Sequence, residues 1–108
     1  MISTHILDTH LGQPATGVKI RLFNQQQQLL AEAETNADGR VTAADFALAD
    51  CPEGSYSLEF YTAAYFEQKG LDSFFPKVVI YFQIKEATQH YHIPLLISPF
   101  AYSTYRGS

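Results

Sequence analysis

A chain of 108 residues makes one domain with a single hydrophobic core. Charged residues are 17% of the chain, against about a quarter in ordinary soluble domains, and aromatics are 14%, so part of the surface is expected to lie under another subunit. Seven Lys and Arg against eleven Asp and Glu give a net charge of −4 with no basic block, which argues against nucleic-acid binding, because neutralising phosphates takes clustered cations. Cys51 is the single cysteine, which rules out an intramolecular disulfide and a cysteine-built zinc site. Its flanks, Ala49-Asp50 and Pro52-Glu53, predict a turn with no cation beside the thiol to activate it. The start MISTHILDTH has no basic leader region, and no window approaches the ~18 apolar residues of a membrane span. A soluble, cytoplasmic protein is expected, with an exported mature form left open.

In chain order, Ile2–Leu7 reads as a strand, and DTHLGQPATG (8–17), with Gly12, Pro14 and Gly17, as a connecting loop. In VKIRLF (18–23) Val18, Ile20 and Leu22 fall on one face and Lys19 and Arg21 on the other, the pattern of a half-buried strand. NQQQQ (24–28) is a polar turn. LLAEAET (29–35) has helix formers but is short and runs into the turn Asn36-Ala37-Asp38-Gly39, so a strand is predicted. VTAADFALADCPEG (41–54) reads as a brief strand and a loop, and SYSLEFY (55–61) as a strand with Tyr56, Leu58 and Phe60 inward. TAAYFEQKG (62–70) is the one predicted helix, with Thr62 as N-cap and Gly70 as its stop. LDSFFP (71–76) is a loop. KVVIYFQIK (77–85) is nearly continuously β-branched and aromatic, as a strand covered on both faces is; HYHIPLLI (90–97) and AYSTY (101–105) complete the set. About eight short strands and one small helix, with no composition shift and no internal repeat across 1–108, predict an all-β, two-sheet sandwich.

The chemistry concentrates at the C-terminal end. Alternation places Tyr91, Ile93, Leu95 and Ile97 on one face and His90, His92, Pro94 and Leu96 on the other, so a core under the first set turns both histidines outward. Such a pair has three readings: solvated side chains, metal ligands completed by His5 or His10, or acid–base groups. The metal reading lacks an Asp or Glu close to the pair. The acid–base reading uses the side chain that titrates nearest neutrality and needs partners from elsewhere, for which His5 and Arg40 are the candidates. A guanidinium after the Asp38-Gly39 turn suits the oxygens of a small planar ligand. No Gly-x-Ser-x-Gly elbow, phosphate loop or nucleotide fingerprint occurs. The last four residues, Tyr105-Arg106-Gly107-Ser108, carry more side-chain chemistry than a frayed end needs, and an end tied down and used is expected.

Three pieces together, STHILDTHLGQPATGVKIRL (3–22), TNADGR (35–40) and HYHIPLLISPFAYSTYRGS (90–108), resemble the transthyretin-like 5-hydroxyisourate hydrolases over essentially the whole chain. The resemblance implies two four-stranded sheets with a short helix, a homotetramer built as a dimer of dimers, and active sites in the channel where the dimers meet. It implies hydrolysis of 5-hydroxyisourate, the product of urate oxidation, to 2-oxo-4-hydroxy-4-carboxy-5-ureidoimidazoline, with no metal or organic cofactor. His5, Arg40 and His92 carry over as catalytic positions, and Ser108 as a substrate neighbour. Tyr105 joins the substrate-binding set, and Arg106 supports the tail. His90 is assigned a secondary role. One histidine is expected to act as base and the other as acid in attack of water on the ring carbonyl, with Arg40 and the tail holding the oxyanion; which histidine is the base is open. A thyroid-hormone carrier of the same fold is the main competitor, disfavoured because transthyretins carry other residues at these positions and lack the Tyr-Arg-Gly-Ser ending. A structural or metal-binding sandwich is the other. The ending Arg-Gly-Ser does not match the Ser-Lys-Leu peroxisomal address.

Overall fold

The computed structural model describes residues 1–48 and 51–108. The turn expected around Cys51 lies in part on 49–50, outside the described residues; Cys51 and Pro52 are irregular, Glu53 bends into β6, and Cys51 is half-buried and packs against the core. Along the chain run β1 (Ile2–Asp8), β2 (Gln13–Pro14), β3 (Lys19–Phe23), β4 (Leu29–Glu34), β5 (Arg40–Val41), α1 (Ala43–Phe46), β6 (Gly54–Phe60), α2 (Thr62–Gln68), β7 (Val78–Ile84), β8 (Tyr91–Ser98) and β9 (Ala101–Thr104).

Two sheets form. One has the order β4-β3-β6-β7, all antiparallel; the other has the order β2-β1-β8-β9 with β5 added against β1. The second sheet therefore has five strands where four were expected, because β2 and β5 each cover part of the same β1 edge. Alternation points Ile2 and Ile6 of β1, Ile20 and Leu22 of β3, Leu58 and Phe60 of β6, and Leu95 and Ile97 of β8 into one shared core, each at most 1% exposed. Burying a side chain of this size contributes about 1.5–3 kcal/mol. Phe66 of α2 joins them.

The helices correct three details. Residues 41–54 hold a helical turn, α1, as well as a strand: Asp45 N donates to Thr42 Oγ1 at 3.2 Å and Thr42 N to Asp45 Oδ2 at 2.9 Å, a reciprocal capping box that starts a helix too short for any periodicity. The fold thus has two helices among the described residues, not one. At α2 the cap is Tyr61, without a side-chain bond, and Thr62 is already inside the helix and buried. The expected stop holds: Gly70 has φ +71°, its N–H donates to Glu67 O and that of Leu71 to Phe66 O, the paired bonds of a Schellman end.

β7 departs most from expectation. Among the described residues it pairs only with β6, as a sheet edge does, and Tyr81 on its outward face is 72% exposed in the single chain. No helix among the described residues is long and apolar enough to cross a membrane.

Candidate functional site

The parallel pairing of β1 with β8 sets Ser3 beside His92 and His5 beside Pro94, residues almost ninety positions apart in sequence. Ser3, His5, His92 and Pro94 alternate with core residues on their strands, so all four lie on the outer face of the five-stranded sheet. β5 adds Arg40 directly opposite His5. Ser3, Thr4, Arg40, Val41, Thr42, Ala43, His90, His92 and Ser108 line one open pocket of about 300 Å³.

Local chemistry explains the delivery of Arg40. Asn36 Oδ1 accepts from Asp38 N at 2.9 Å and from Arg40 N at 3.0 Å, while Gly39 N donates to Asn36 O at 2.9 Å. The turn then locks to β1 through Ile6 N donating to Gly39 O at 2.8 Å. Gly39 has φ +73°, and a Cβ there would stand 2.5 Å from Ile6 O, so only glycine permits this approach. Asn36 is a positioning residue hidden in a segment that reads as an ordinary turn.

The chain end is held as expected. Gly107 N donates to His92 O at 2.9 Å, and the Gly107–His92 bridge keeps the register that pairs Thr104 with Leu95 three residues away on each strand. The ladder lapses between them opposite Pro94, which has no N–H to offer. Arg106 lies over the Tyr91 ring at 4.7 Å and its Nη2 donates to Gln89 Oε1 at 3.2 Å. A Cβ on Gly107 would come within 2.5 Å of His92 Cδ2 and 3.1 Å of Pro94 Cγ. Gly107→Ala is therefore expected to move the His92 ring or release the tail. If His92 does the chemistry, turnover falls up to about 100-fold with the core intact, as for a group misplaced by an ångström, and kinetics alongside thermal melting will read it.

His92 is half-buried, and its pKa is lowered from the usual 6.5, first by burial and then by the positive fields of Arg40, His90 and His5. The native state binds this proton less readily than the unfolded chain, so His92 favours the fold above pH 6.5, and that stability is lost as pH falls through its native pKa. The ring is expected to titrate below 6.5 by NMR, and Arg40→Gln should move the midpoint upward. A midpoint at or above 6.5 in the intact protein would contradict this picture of the pocket.

Arg40, His92 and Ser108 are brought together, with His90. His5 stands next to Arg40 in register but is not among the pocket-lining residues. Tyr105, 60% exposed, lines a separate cavity of about 330 Å³ with Arg106, Tyr91 and the β7 edge, touching the first site only through His92, which lines both. His10 lies exposed beyond β1, and no group of three or more His, Cys, Asp and Glu placed to hold a metal occurs among the described residues. Ser3 was missed. Its Oγ lies 2.7 Å from His90 Nε2 and 2.8 Å from His92 Nδ1, joining both histidines through one hydroxyl. Nothing in a Ser-Thr-His strand start signals this contact before β1 and β8 are known to run side by side.

Residues 2–107 match the model of the HIUase/Transthyretin family. The chain belongs to that family. A probable 5-hydroxyisourate hydrolase of Schizosaccharomyces pombe is 45% identical, over 99% of this chain and 90% of the relative. The 5-hydroxyisourate hydrolase of Caulobacter vibrioides is also 45% identical, over 99% and 97% of the two chains. Among solved structures, Klebsiella pneumoniae 5-hydroxyisourate hydrolase superposes with a TM-score of 0.91 at 44% identity, over 99% of this chain and 97% of that one. Sea bream transthyretin in complex with thyroxine gives 0.83 at 30% identity, over 98% and 93%. The sandwich read from the strand pattern is thus a transthyretin-like one, as the resemblance implied.

Proposed function

We propose that this protein hydrolyses 5-hydroxyisourate to 2-oxo-4-hydroxy-4-carboxy-5-ureidoimidazoline. The observation that carries the reading is the meeting of Arg40, His92 and Ser108, from three distant parts of the chain, around one pocket in a member of this family. About 300 Å³ is the lower end of the range for small-molecule sites and suits a single bicyclic substrate. Neutral His92 is the base: it takes a proton from water as the oxygen attacks the ring carbonyl C6. His5 returns a proton to N1 as the N1–C6 bond breaks. Arg40 faces the oxyanion that forms in between, a charge best held by donors already in place. Ser108 contacts the substrate, and Tyr105 and Arg106 hold the tail. The working form is a homotetramer, a dimer of dimers with sites where the dimers meet; the open edge of β7 and the low surface charge fit covered faces. We place the protein in the cytoplasm.

The test is the ultraviolet decay of 5-hydroxyisourate, generated fresh from urate by urate oxidase, with and without the protein. Accelerated decay, unchanged by a chelator and accompanied by elution at the mass of four chains, is expected. Decay at the spontaneous rate from folded protein would overturn the hydrolase reading. Tight thyroxine binding in that case would establish the carrier alternative, for which the likeness to thyroxine-bound transthyretin is the supporting observation. Activity lost on chelation and restored by zinc would overturn the metal-free chemistry.

A further inference from the structure

We propose that Ser3 sets the tautomer of His92: its hydroxyl accepts a hydrogen bond from His92 Nδ1–H and donates one to His90 Nε2, which keeps the lone pair of His92 on Nε2, free for water. The inference rests on the hydrolase reading above and deepens it by naming the basic nitrogen and the two residues that keep it basic. A neutral imidazole has one N–H and one lone pair, and only the nitrogen with the lone pair takes a proton from water. In water a histidine side chain prefers its proton on Nε2, so a base at Nε2 needs the less favoured tautomer held for it by a partner at Nδ1.

Nδ1 is the committed nitrogen of His92. Ser3 Oγ stands 2.8 Å from it and Cδ2 of the same ring lies against Gly107, which leaves Nε2 without a protein partner among the described residues. Strand register places the hydroxyl: Ser3 is the Cα partner of His92 in the β1–β8 ladder, and His90, two residues before His92, brings its Nε2 to 2.7 Å from the same Oγ. The ring centroids of His90 and His92 are 6.5 Å apart, too far for the rings to bond each other and close enough for one hydroxyl to bridge them. Ser3 is 9% exposed, so little solvent reaches the hydroxyl to replace either partner.

A hydroxyl has one proton, so the two bonds run in one direction or the other. In the direction proposed, His92 donates from Nδ1, Ser3 donates to His90, and His90 carries its own proton on Nδ1. In the reverse direction His90 Nε2–H donates to Ser3 and Ser3 donates to His92 Nδ1, which puts the His92 proton on Nε2. Both rings donating at once would leave the Ser3 proton without an acceptor among the described residues. Arg40 favours the first direction. Its guanidinium shares the pocket and its positive field reaches the His92 ring, where it favours a lone pair over an N–H on the nitrogen that Ser3 does not hold. No proton travels along these bonds: the one taken from water sits on Nε2 and leaves from Nε2 into the open pocket, while Nδ1–H stays in place throughout. As Nε2 takes that proton, the bond from Nδ1–H to Ser3 becomes charge-assisted and stronger, so the same hydroxyl steadies the imidazolium as it forms. Ser3 and His90 are positioning residues that act through His92.

The experiment is nitrogen-15 NMR of the whole protein above pH 6.5, where His92 is neutral, beside kcat and KM for 5-hydroxyisourate, in wild type, Ser3→Ala, Ser3→Thr and His90→Ala. Wild-type His92 is expected with its proton on Nδ1. Ser3→Ala is expected to move that proton mainly to Nε2 and to lower kcat by about 10–100-fold, the scale for removing a group that orients a working histidine, with KM little changed. Ser3→Thr restores the hydroxyl and should recover both the tautomer and most of the turnover. His90→Ala frees the Ser3 proton to turn toward Nδ1 and should shift the tautomer and lower kcat in the same direction. Because His90 is exposed, that variant answers the question even if a Ser3 variant folds poorly. A wild-type His92 at rest with its proton on Nε2 would overturn the assignment. So would a Ser3→Ala protein that loses turnover with the proton still on Nδ1, since Ser3 would then be structural only. An unchanged tautomer and kcat in His90→Ala would overturn the part given to His90. Decay at the spontaneous rate with folded wild type would overturn the hydrolase reading instead, and the NMR comparison of wild type with Ser3→Ala would still test the bond order by itself.

Discussion

His92→Ala is expected to bring 5-hydroxyisourate decay close to the spontaneous rate, a loss of about 10²–10⁴-fold, the usual contribution of a positioned acid–base group. The side chain stands at the centre of the site: Gly107 lies against one edge of its ring, Ser3 bonds Nδ1, and Arg40 shares its pocket. Removing it costs little of the fold, because its ring packs on the outer face of the five-stranded sheet while Tyr91, Ile93 and Leu95 on the same strand keep the core. The prediction is therefore sharp: activity falls and thermal stability does not follow it. A His92→Ala protein with more than about a tenth of wild-type turnover would remove this residue from the role of base, and His5 would take its place. A deep loss of stability would instead mean that the Gly107–His92 contact anchors the sheet and that the activity measurement reports unfolding.

Asp8→Ala is expected to destabilise the protein by about 3 kcal/mol or more, the scale for stranding several partners of a buried charged group. Asp8 is fully buried at the end of β1. One carboxylate oxygen accepts from His10 N at 2.9 Å and Leu11 N at 3.0 Å, and the other accepts from Tyr65 Oη on α2 at 2.7 Å. The residue thus closes the turn after β1 and pins the helix to the sheet. Alanine leaves two backbone donors and a buried phenol without their acceptor. Urea unfolding read by tyrosine fluorescence measures the loss, and Tyr65→Phe should show a smaller one, because the carboxylate keeps its two backbone donors. A change within 0.5 kcal/mol, the range of ordinary surface substitutions, would show that Asp8 is not structural in this sense. The Tyr65 hydroxyl gives the same contact an alkaline signature. Burial, then the bond to Asp8 and its negative charge, raise its pKa well above the usual 10.0. Above pH 10 the unfolded chain releases a proton that the native state keeps, so stability present below that pH falls as pH rises. Tyr65→Phe should flatten this limb.

Both residues were visible in the sequence with unequal clarity. His92 stood out because period two on a strand whose other face is apolar leaves no doubt which way a histidine points. Asp8 was absorbed into a loop signature, since a carboxylate before a turn is ordinary and its partner, Tyr65, is fifty-seven residues on. Arg40 and the final tetrapeptide were legible through their motifs. Ser3, Asn36 and the need for glycine at 107 were not, because each acts by contact with a strand or turn far away in sequence.

The sequence by itself determined the alternation that makes a two-layer sandwich, the strand identity of 29–34 despite its helix formers, the glycine stop of α2 and the family motifs at both ends. These are local properties, set by side-chain periodicity and backbone preference within a few residues. Tertiary structure alone decided that β1 runs parallel to β8, so that Ser3 meets His90 and His92, that β5 lays Arg40 across from His5, and that β7 is an edge with Tyr81 uncovered in the single chain. It also separated Tyr105 from the pocket that holds Arg40, His92 and Ser108. Strand order and register arise from many weak contacts between segments distant in the chain, summed over the whole core, and no short stretch of residues carries that sum.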